Sequence, residues 1–468
     1  MAEDKKLHIV MLPWFAFGHM IPFLELSKLI AQKGHRVSFV STPKNIDRLP
    51  TQLPPHLSPF LSFVKIPMPQ LDNLPPDAEA TIDLPYDKIR FLKEAYDALK
   101  QPLSDFLRTS DADCVLYDFF PYWIGQEIGP NLGIKTAFFS IFIPETLAFA
   151  GPMSSRDHRK KVEDFTVPPD WIPFPTTVAL RHYEMKKIFD EAVTGESTGV
   201  SDLDRLKLSA HNSDFIVLKA CPEFGQEWIQ LVGDIHGKNV FPIGQLPTSE
   251  YDSGDDNQEW QSIKEWLDKQ PIASVVYVAF GSEAKPSQDE LTEIAFGLEK
   301  SELPFFWVLR TRSGLSDPNV TELPEGFEER TKGRGIVWNT WAPQLKILGH
   351  ESVGGFLSHS GWSSAVEAIQ SEKAMIFLPF LVDQGIIARI LEEKKVGYCI
   401  PRNLLDGSFT RDSVEESLKL VMVEDEGKIY REKIKELKGL FVNKERDERL
   451  IDQFLSYLKT HRNVDEAL

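Results

Sequence analysis

The chain has 468 residues, a formal net charge of −18, 42% hydrophobic residues and 11% aromatic ones. That apolar content is enough for the cores of two or three domains and excludes a disordered chain or a fibre. The acidic balance argues against nucleic acid or an anionic membrane as a partner, although a local cluster of N–H donors can still hold a phosphate.

In chain order, "LHIVML" is a short apolar run closed by Pro13, which predicts a first strand rather than a leader peptide. "FLELSKLIAQKG" carries helical periodicity with Gly34 at its C-terminal cap, and "RVSFVST" predicts the next strand. "DCVLYD", "KTAFFS" and "DFIVLKA" follow as further short apolar strands. Strands alternating with helices imply a parallel sheet covered on both faces. Residues 151–211 break the rhythm, first Pro-rich ("FTVPPDWIPFPTT") and then helical ("YEMKKIFDEAV"). They read as an insertion over a cleft, a common home for ligand selectivity. "GESTG", Gly195–Gly199, fits the Gly-x-Ser-x-Gly pattern of serine hydrolases. It follows a helical stretch instead of a strand, so Ser197 is not expected to be a nucleophile. No Gly-x-Gly-x-x-Gly follows a strand, which counts against a nicotinamide dehydrogenase.

The polar, acidic "LPTSEYDSGDDNQE" predicts an interdomain linker, after which the alternation restarts. "SVVYVAFGS" predicts a strand and turn, "SQDELTEIAFGLEKS" a helix with Ser287 and Glu290 at capping-box spacing, and "FFWVLR" a strand. The expected division is residues 1–245, a linker 246–262, residues 263–445, and a C-terminal helix within 446–468 that packs back on the first half. Two such α/β halves make a cleft at their strand ends. Cys114, Cys221 and Cys399 have no metal-ligand or CxxC spacing and suit a reducing compartment. No run approaches the ~18 apolar residues of a membrane span, so a cytoplasmic protein is expected. In that compartment the Asn319-Val320-Thr321 sequon would stay unmodified.

The most informative stretch is "WAPQLKILGHESVGGFLSHSGWSSAVEAIQSEKAMIFLPFLVDQ", Trp341–Gln384. "GGFLSHSGWSS" reads as a strand entering a turn of small residues, then a helix opened by Ser363 and Ser364. Free N–H groups and the positive dipole end at such a helix start attract anions. His359 adds a donor, Glu367 a carboxylate suited to a ribose diol, and Trp341 a flat indole for a base. Asp383 and Gln384 place an acceptor and donors side by side, as a sugar needs. A capped helix after a buried strand, with no ligand, is the competing reading.

This stretch resembles, over its full length, the signature box of plant secondary-product UDP-sugar glycosyltransferases (glycosyltransferase family 1). The resemblance implies the GT-B fold, two facing Rossmann-like α/β domains, and inverting transfer of a sugar from a uridine diphosphate donor to a small lipophilic acceptor. It implies that Trp341 stacks on uracil, that Ala342 and Gln344 lie near base and ribose, and that Glu367 binds the ribose hydroxyls. His359, Ser363, Ser364 and, in "FGSEA", Ser282 would hold the phosphates. Trp362 would approach the sugar, while Asp383 and Gln384 grip its hydroxyls. Ser363 stands where asparagine is usual, and its hydroxyl has the shorter reach. The final glutamine leans toward glucose.

The apolar run "LPWFAFGHMIPF" contains His19, which by itself reads as a satisfied core histidine. The resemblance makes it the general base, oriented by Asp118 of "LYDFFPYW" in the manner of a triad carboxylate. Trp14, Phe15, Phe17, Phe119, Phe120 and Tyr122 would then line an acceptor pocket, or else simply pack the core. The whole chain looks most like the branch that often extends sugars on existing flavonoid, terpenoid or steroid-type glycosides, with UDP-rhamnose an alternative donor. A nonenzymatic UDP-sugar-binding protein is the rival reading. No metal or cofactor beyond the co-substrate, no nucleic acid and a monomer are expected.

Overall fold

Short runs of buried, largely β-branched and aromatic residues become the strands of two parallel sheets in the computed structural model, which describes residues 6–51, 53–195, 198–248, 258–281, 284, 286–309 and 322–461. The first sheet holds β1 (His8–Leu12), β2 (Arg36–Ser41), β3 (Leu61–Lys65), β4 (Cys114–Tyr117), β5 (Lys135–Ser140), β6 (Phe215–Leu218) and β7 (Val240–Pro242), in the order β3-β2-β1-β4-β5-β6-β7. The second holds β8 (Val275–Ala279), β9 (Phe305–Val308), β10 (Gly335–Trp338), β11 (Val353–Ser358), β12 (Ala374–Phe377) and β13 (Gly397–Cys399), in the order β10-β9-β8-β11-β12-β13. Burial on both faces explains why β1, β4 and β8 are apolar without alternation. This is the GT-B architecture of two Rossmann-like domains.

In each sheet the order reverses between the first and fourth of its strands, β1 beside β4 and β8 beside β11. Crossovers depart to opposite sides there, leaving a crevice at the carboxyl ends of the strands. The segments that follow these four strands carry His19, Asp118, Phe280 and His359, so topology brings the candidate chemistry together.

Two local features differ from the sequence reading. The first helix runs Phe17–Gln32, so it begins ahead of Pro22 and takes His19 into its first turn. Proline here removes only the bond to the carbonyl of Gly18, an exposed residue, so it does not end the helix. A helix Gln258–Leu267 starts inside the stretch expected to be linker and buries Trp260, Ile263 and Leu267. Residues 249–257 of that stretch lie outside the described residues, as do Ser197 and the 319–321 sequon.

The chain recrosses from the second half to the first at its end. The helix Lys444–His461 buries Ile451, Phe454, Leu455 and Leu458, with Phe454 and Tyr457 against Phe215 and Phe241. Its Asp447 seats on Gly244 (φ +86), where a Cβ would come within 2.2 Å of the carboxylate, so only glycine fits. Among the described residues no helix is long and apolar enough to cross a membrane. All three cysteines are free.

Candidate active site

The first-domain half of the site is a histidine held by a carboxylate. β1 and β4 end side by side, Leu12 opposite Tyr117, so the residues that follow them share one edge of the sheet. His19 Nδ1 lies 2.7 Å from Asp118 Oδ2. The carboxyl group is fully buried, and it also accepts from the backbone N–H of Trp14 (3.1 Å) and Phe119 (2.7 Å). With Nδ1–H donated to Asp118, the lone pair of Nε2 is left as the basic atom. The ring is 14% exposed and stands between Phe119 and Phe142, each 5.6 Å away centre to centre. The loop is fixed from beneath by Tyr96, whose hydroxyl donates to the Pro13 carbonyl.

The six aromatics expected to line an acceptor pocket divide. Phe119 borders His19. Trp14, Phe15 and Phe120 are core: Trp14 stacks on Phe120 at 4.3 Å, and Phe15 packs on Tyr96 at 4.6 Å. Phe17 turns to the hydrophobic cluster on the other face of the sheet, and Tyr122 lies under the Arg205 guanidinium. Trp14, Phe15 and Phe120 sit in the turns just past β1 and β4 and pack together around Tyr96, which leaves few large side chains for the cleft. Phe142, after β5, was missed; its signal is its place at a third strand end.

The second-domain half gathers around the helix Trp362–Gln370. Its ladder begins with Ala365 N–H on the Gly361 carbonyl, so the N–H groups of Trp362, Ser363 and Ser364 have no acceptor within the helix. Glu367 is buried and already paired: Gln344 Nε2 donates to one oxygen at 2.6 Å and Thr248 Oγ1 to the other at 2.8 Å. Burial raises its carboxyl pKa, opposed by those two bonds and by Lys219. Ser364 is 3.4 Å from Gln344 Nε2. Trp341 is 57% exposed and offers an open indole face, beside buried Ala342. Ser282 lies outside the described residues.

His359 follows β11, packed against Gly281 and Gly361, and its buried Nδ1 has no hydrogen-bond partner. Burial drives its pKa down to about 4, so it is a neutral imidazole and brings one N–H to an anion, not a charge. Asp383 is half-buried, and burial lifts its carboxyl to about 6, with His19 across the cleft pulling the other way. Gln384 spends its carbonyl oxygen on its own loop, accepting from Phe380 N (2.9 Å) and Leu381 N (3.0 Å). Only its amide NH2 is left for a sugar. Trp362 differs from its expected place against the sugar: its ring packs on Phe224 and Phe441, and Nε1 donates to Gln245 Oε1 at 2.9 Å. Phe224 of the first domain and Phe441 of the second wall the indole, and Gln245 supplies its amide oxygen, which together outcompete the open cleft for a large ring.

Three residues from outside the second domain that touch this half were not found by sequence reasoning: Lys219, whose Nζ donates to Ser363 Oγ at 2.9 Å, Gln245, and Thr248 of the linker. Lys219 had a signal, a cation ending the apolar strand "DFIVLKA"; the other two sit in loops without one. Arg389 of the helix Gln384–Glu393 adds a forked pair to Glu184 of the insertion, 2.9 Å on each arm. Among the described residues no group of three or more His, Cys, Asp or Glu could hold a metal.

The arrangement is a positioned base facing a helix start that favours anions, with a carboxylate and an amide beside them. Known proteins match it along the whole chain. A family model described as UDP-glucoronosyl and UDP-glucosyl transferase matches residues 238–449, and one for the N-terminal domain of glycosyltransferases matches residues 5–132. UDP-glycosyltransferase 91A1 of Arabidopsis thaliana is 51% identical over 462 residues, 98% of either chain. Soyasaponin III rhamnosyltransferase of Glycine max is 42% identical over 98% of this chain and 97% of that one. The crystal structure of Glycyrrhiza uralensis UGT73P12, complexed with glycyrrhetinic acid 3-O-monoglucuronide, superposes with a TM-score of 0.83 at 20% identity, covering 97% and 96% of the two chains.

Proposed function

Since the chain belongs to the plant UDP-glycosyltransferase family, we propose that it moves a hexose, glucose in the first reading, from UDP to a hydroxyl of a small lipophilic metabolite or its glycoside, with inversion. What supports this most is the His19–Asp118 pair, 2.7 Å apart, with His19 near enough for its charge to act on the Asp383 carboxyl of the other domain. A protein that only held a UDP-sugar would need no such pair.

In the proposed reaction His19 Nε2 takes the acceptor proton while the acceptor oxygen attacks the anomeric carbon opposite the diphosphate. Asp118 stabilises the imidazolium that forms. The bond to the phosphate oxygen breaks with its electron pair, and the N–H groups at the start of the Trp362 helix meet the new charge, as an oxyanion hole does. Trp341, Ala342, Gln344 and Glu367 hold uridine; Asp383 and the Gln384 amide hold the sugar. A nucleoside diphosphate leaves without a carboxylic acid to protonate it, so the scheme calls on no metal and no second carboxyl of the kind glycosidases use. Phe119 and Phe142 offer the acceptor an apolar, edge-on surface, and we place the reaction in the cytoplasm.

UDP-rhamnose is a second reading, favoured by the soybean relative, which by its name transfers rhamnose to soyasaponin III. A panel of UDP-glucose, UDP-rhamnose and other UDP-sugars against aglycones and their glucosides, read by mass and by UDP release, tests both. Product from a UDP-sugar is expected; UDP binding with no transfer to any acceptor would leave the binding-protein reading.

A further inference from the structure

Lys219 directly follows β6 at the carboxyl edge of the first sheet, its N–H on the Ser140 carbonyl, and only 2% of it is exposed. Its Nζ crosses to the second domain and meets a neutral hydroxyl, Ser363 Oγ at 2.9 Å. The carboxylates that face it are Glu367 and Glu25. Both have nearer partners: Thr248 and Gln344 for Glu367, and Lys28 at 2.9 Å for Glu25. Among the described residues no carboxylate lies within ion-pair distance of Nζ. The cation also points at the positive end of the Trp362 helix, where a dipole repels it. A buried ammonium between a helix N-terminus and a serine hydroxyl is a costly arrangement, and an anion between the two positive groups would relieve it.

We propose that Lys219 is a diphosphate-binding cation that the first domain delivers to the donor site of the second. The inference rests on the functional reading above and deepens it. The acceptor oxygen bonds to the anomeric carbon, the bond to the β-phosphate oxygen breaks with its electron pair, and the acceptor proton goes to His19. Lys219 keeps its own protons and exchanges a neutral partner for the charge that develops on phosphate. Burial lowers its ammonium to about 8, which leaves it charged at neutral pH. Because the cation and the helix come from different domains, a complete diphosphate site requires the two halves to be together.

The test uses the full chain with Lys219→Met and Lys219→Arg, titrated with UDP and with uridine, which lacks the phosphates. Lys219→Met is expected to weaken UDP about 10-fold or more while leaving uridine unchanged, as loss of a charge-assisted contact predicts. Its kcat should fall by roughly 10²-fold. Lys219→Arg, which keeps the charge, should hold the ratio of UDP to uridine affinity within about 3-fold of the parent chain. A Met variant that binds UDP as the parent does, or one that loses UDP and uridine in equal proportion, overturns the proposal. Failure of the parent chain itself to bind UDP would remove the functional reading and this inference with it.

Discussion

The two halves of the cleft are built on the same topology yet prepared differently. In the first, the functional pair is complete within the domain: Asp118 takes three hydrogen bonds from its own surroundings and leaves one atom of His19 for chemistry. In the second, most of the polar side chains already have partners, several of them from the first half or the linker, while His359 Nδ1 has none and the N–H groups at the start of the Trp362 helix have no acceptor within it. Glu367 holds Thr248, Ser363 holds Lys219, Trp362 holds Gln245, and Gln384 holds its own loop. A base must be pre-set to within a fraction of an ångström to act, so self-contained geometry suits it. A nucleotide site must open and close, and side chains that trade an internal partner for a ligand let it do so with few buried polar groups left unpaired.

If the base is self-contained, breaking it should leave the other half untouched. His19→Ala is expected to lower kcat by roughly 10²–10⁴, the usual contribution of a general base, with the Kd for UDP unchanged by titration. A parallel loss of UDP binding would show that the halves are not separate. Asp118→Asn acts one step back. An amide N–H facing Nδ1 forces the other tautomer and places a proton on Nε2, where the lone pair is needed. Turnover should fall by about 10²-fold or more, as in a triad whose carboxylate becomes an amide, again with UDP affinity preserved.

The same contrast decided what the sequence revealed. The sheets were legible in part: β1, β2, β4, β5, β6, β8, β9 and β11 are short apolar runs between helix-period segments, whereas β3, β7, β10, β12 and β13 were not read, and β3, β7 and β10 are only partly buried. The donor stretch from Trp341 to Gln384 was legible as a contiguous piece of chain. His19 and Asp118, 99 residues apart, could be linked only through strand ends that the topology makes neighbours. What could not be read was the traffic between domains. Lys219, Gln245 and Thr248 act on residues more than a hundred positions away, and no periodicity encodes a hydrogen bond across a cleft. The aromatic run around His19 misled for a related reason: Trp14, Phe15 and Phe120 have the composition of a pocket, but packing on Tyr96, some eighty residues from the first two, draws them into the core.

Asp383 is where the halves influence one another through charge. Burial raises its pKa to about 6, so it loses its charge as pH falls through 6 and regains it above. The ionised form is the better acceptor for sugar hydroxyls. The KM for the UDP-sugar should therefore rise by about 10-fold between pH 7 and pH 5, the worth of one charged hydrogen bond. Asp383→Asn should show a raised KM at both pH values and no step between them. A step that survives in the Asn variant would assign the titration to another group.

The finest test concerns Thr248, whose hydroxyl occupies Glu367 Oε1 at 2.8 Å. If the ribose diol replaces that bond, Thr248→Val removes a competitor and keeps the side-chain volume. Glu367 retains Gln344 on its other oxygen at 2.6 Å, so the carboxylate is not orphaned and the variant should fold as the parent does. UDP is then expected to bind about 3-fold tighter, the size of one neutral-to-charged exchange that no longer has to be reversed. 2′,3′-Dideoxyuridine diphosphate, which cannot make the exchange, should bind both chains equally. Tighter binding of both nucleotides would mean that Thr248 limits entry to the site and does not compete for the carboxylate. Unchanged binding of both would mean that the ribose shares Glu367 with Thr248, and the donor half would then be as pre-set as the base it faces.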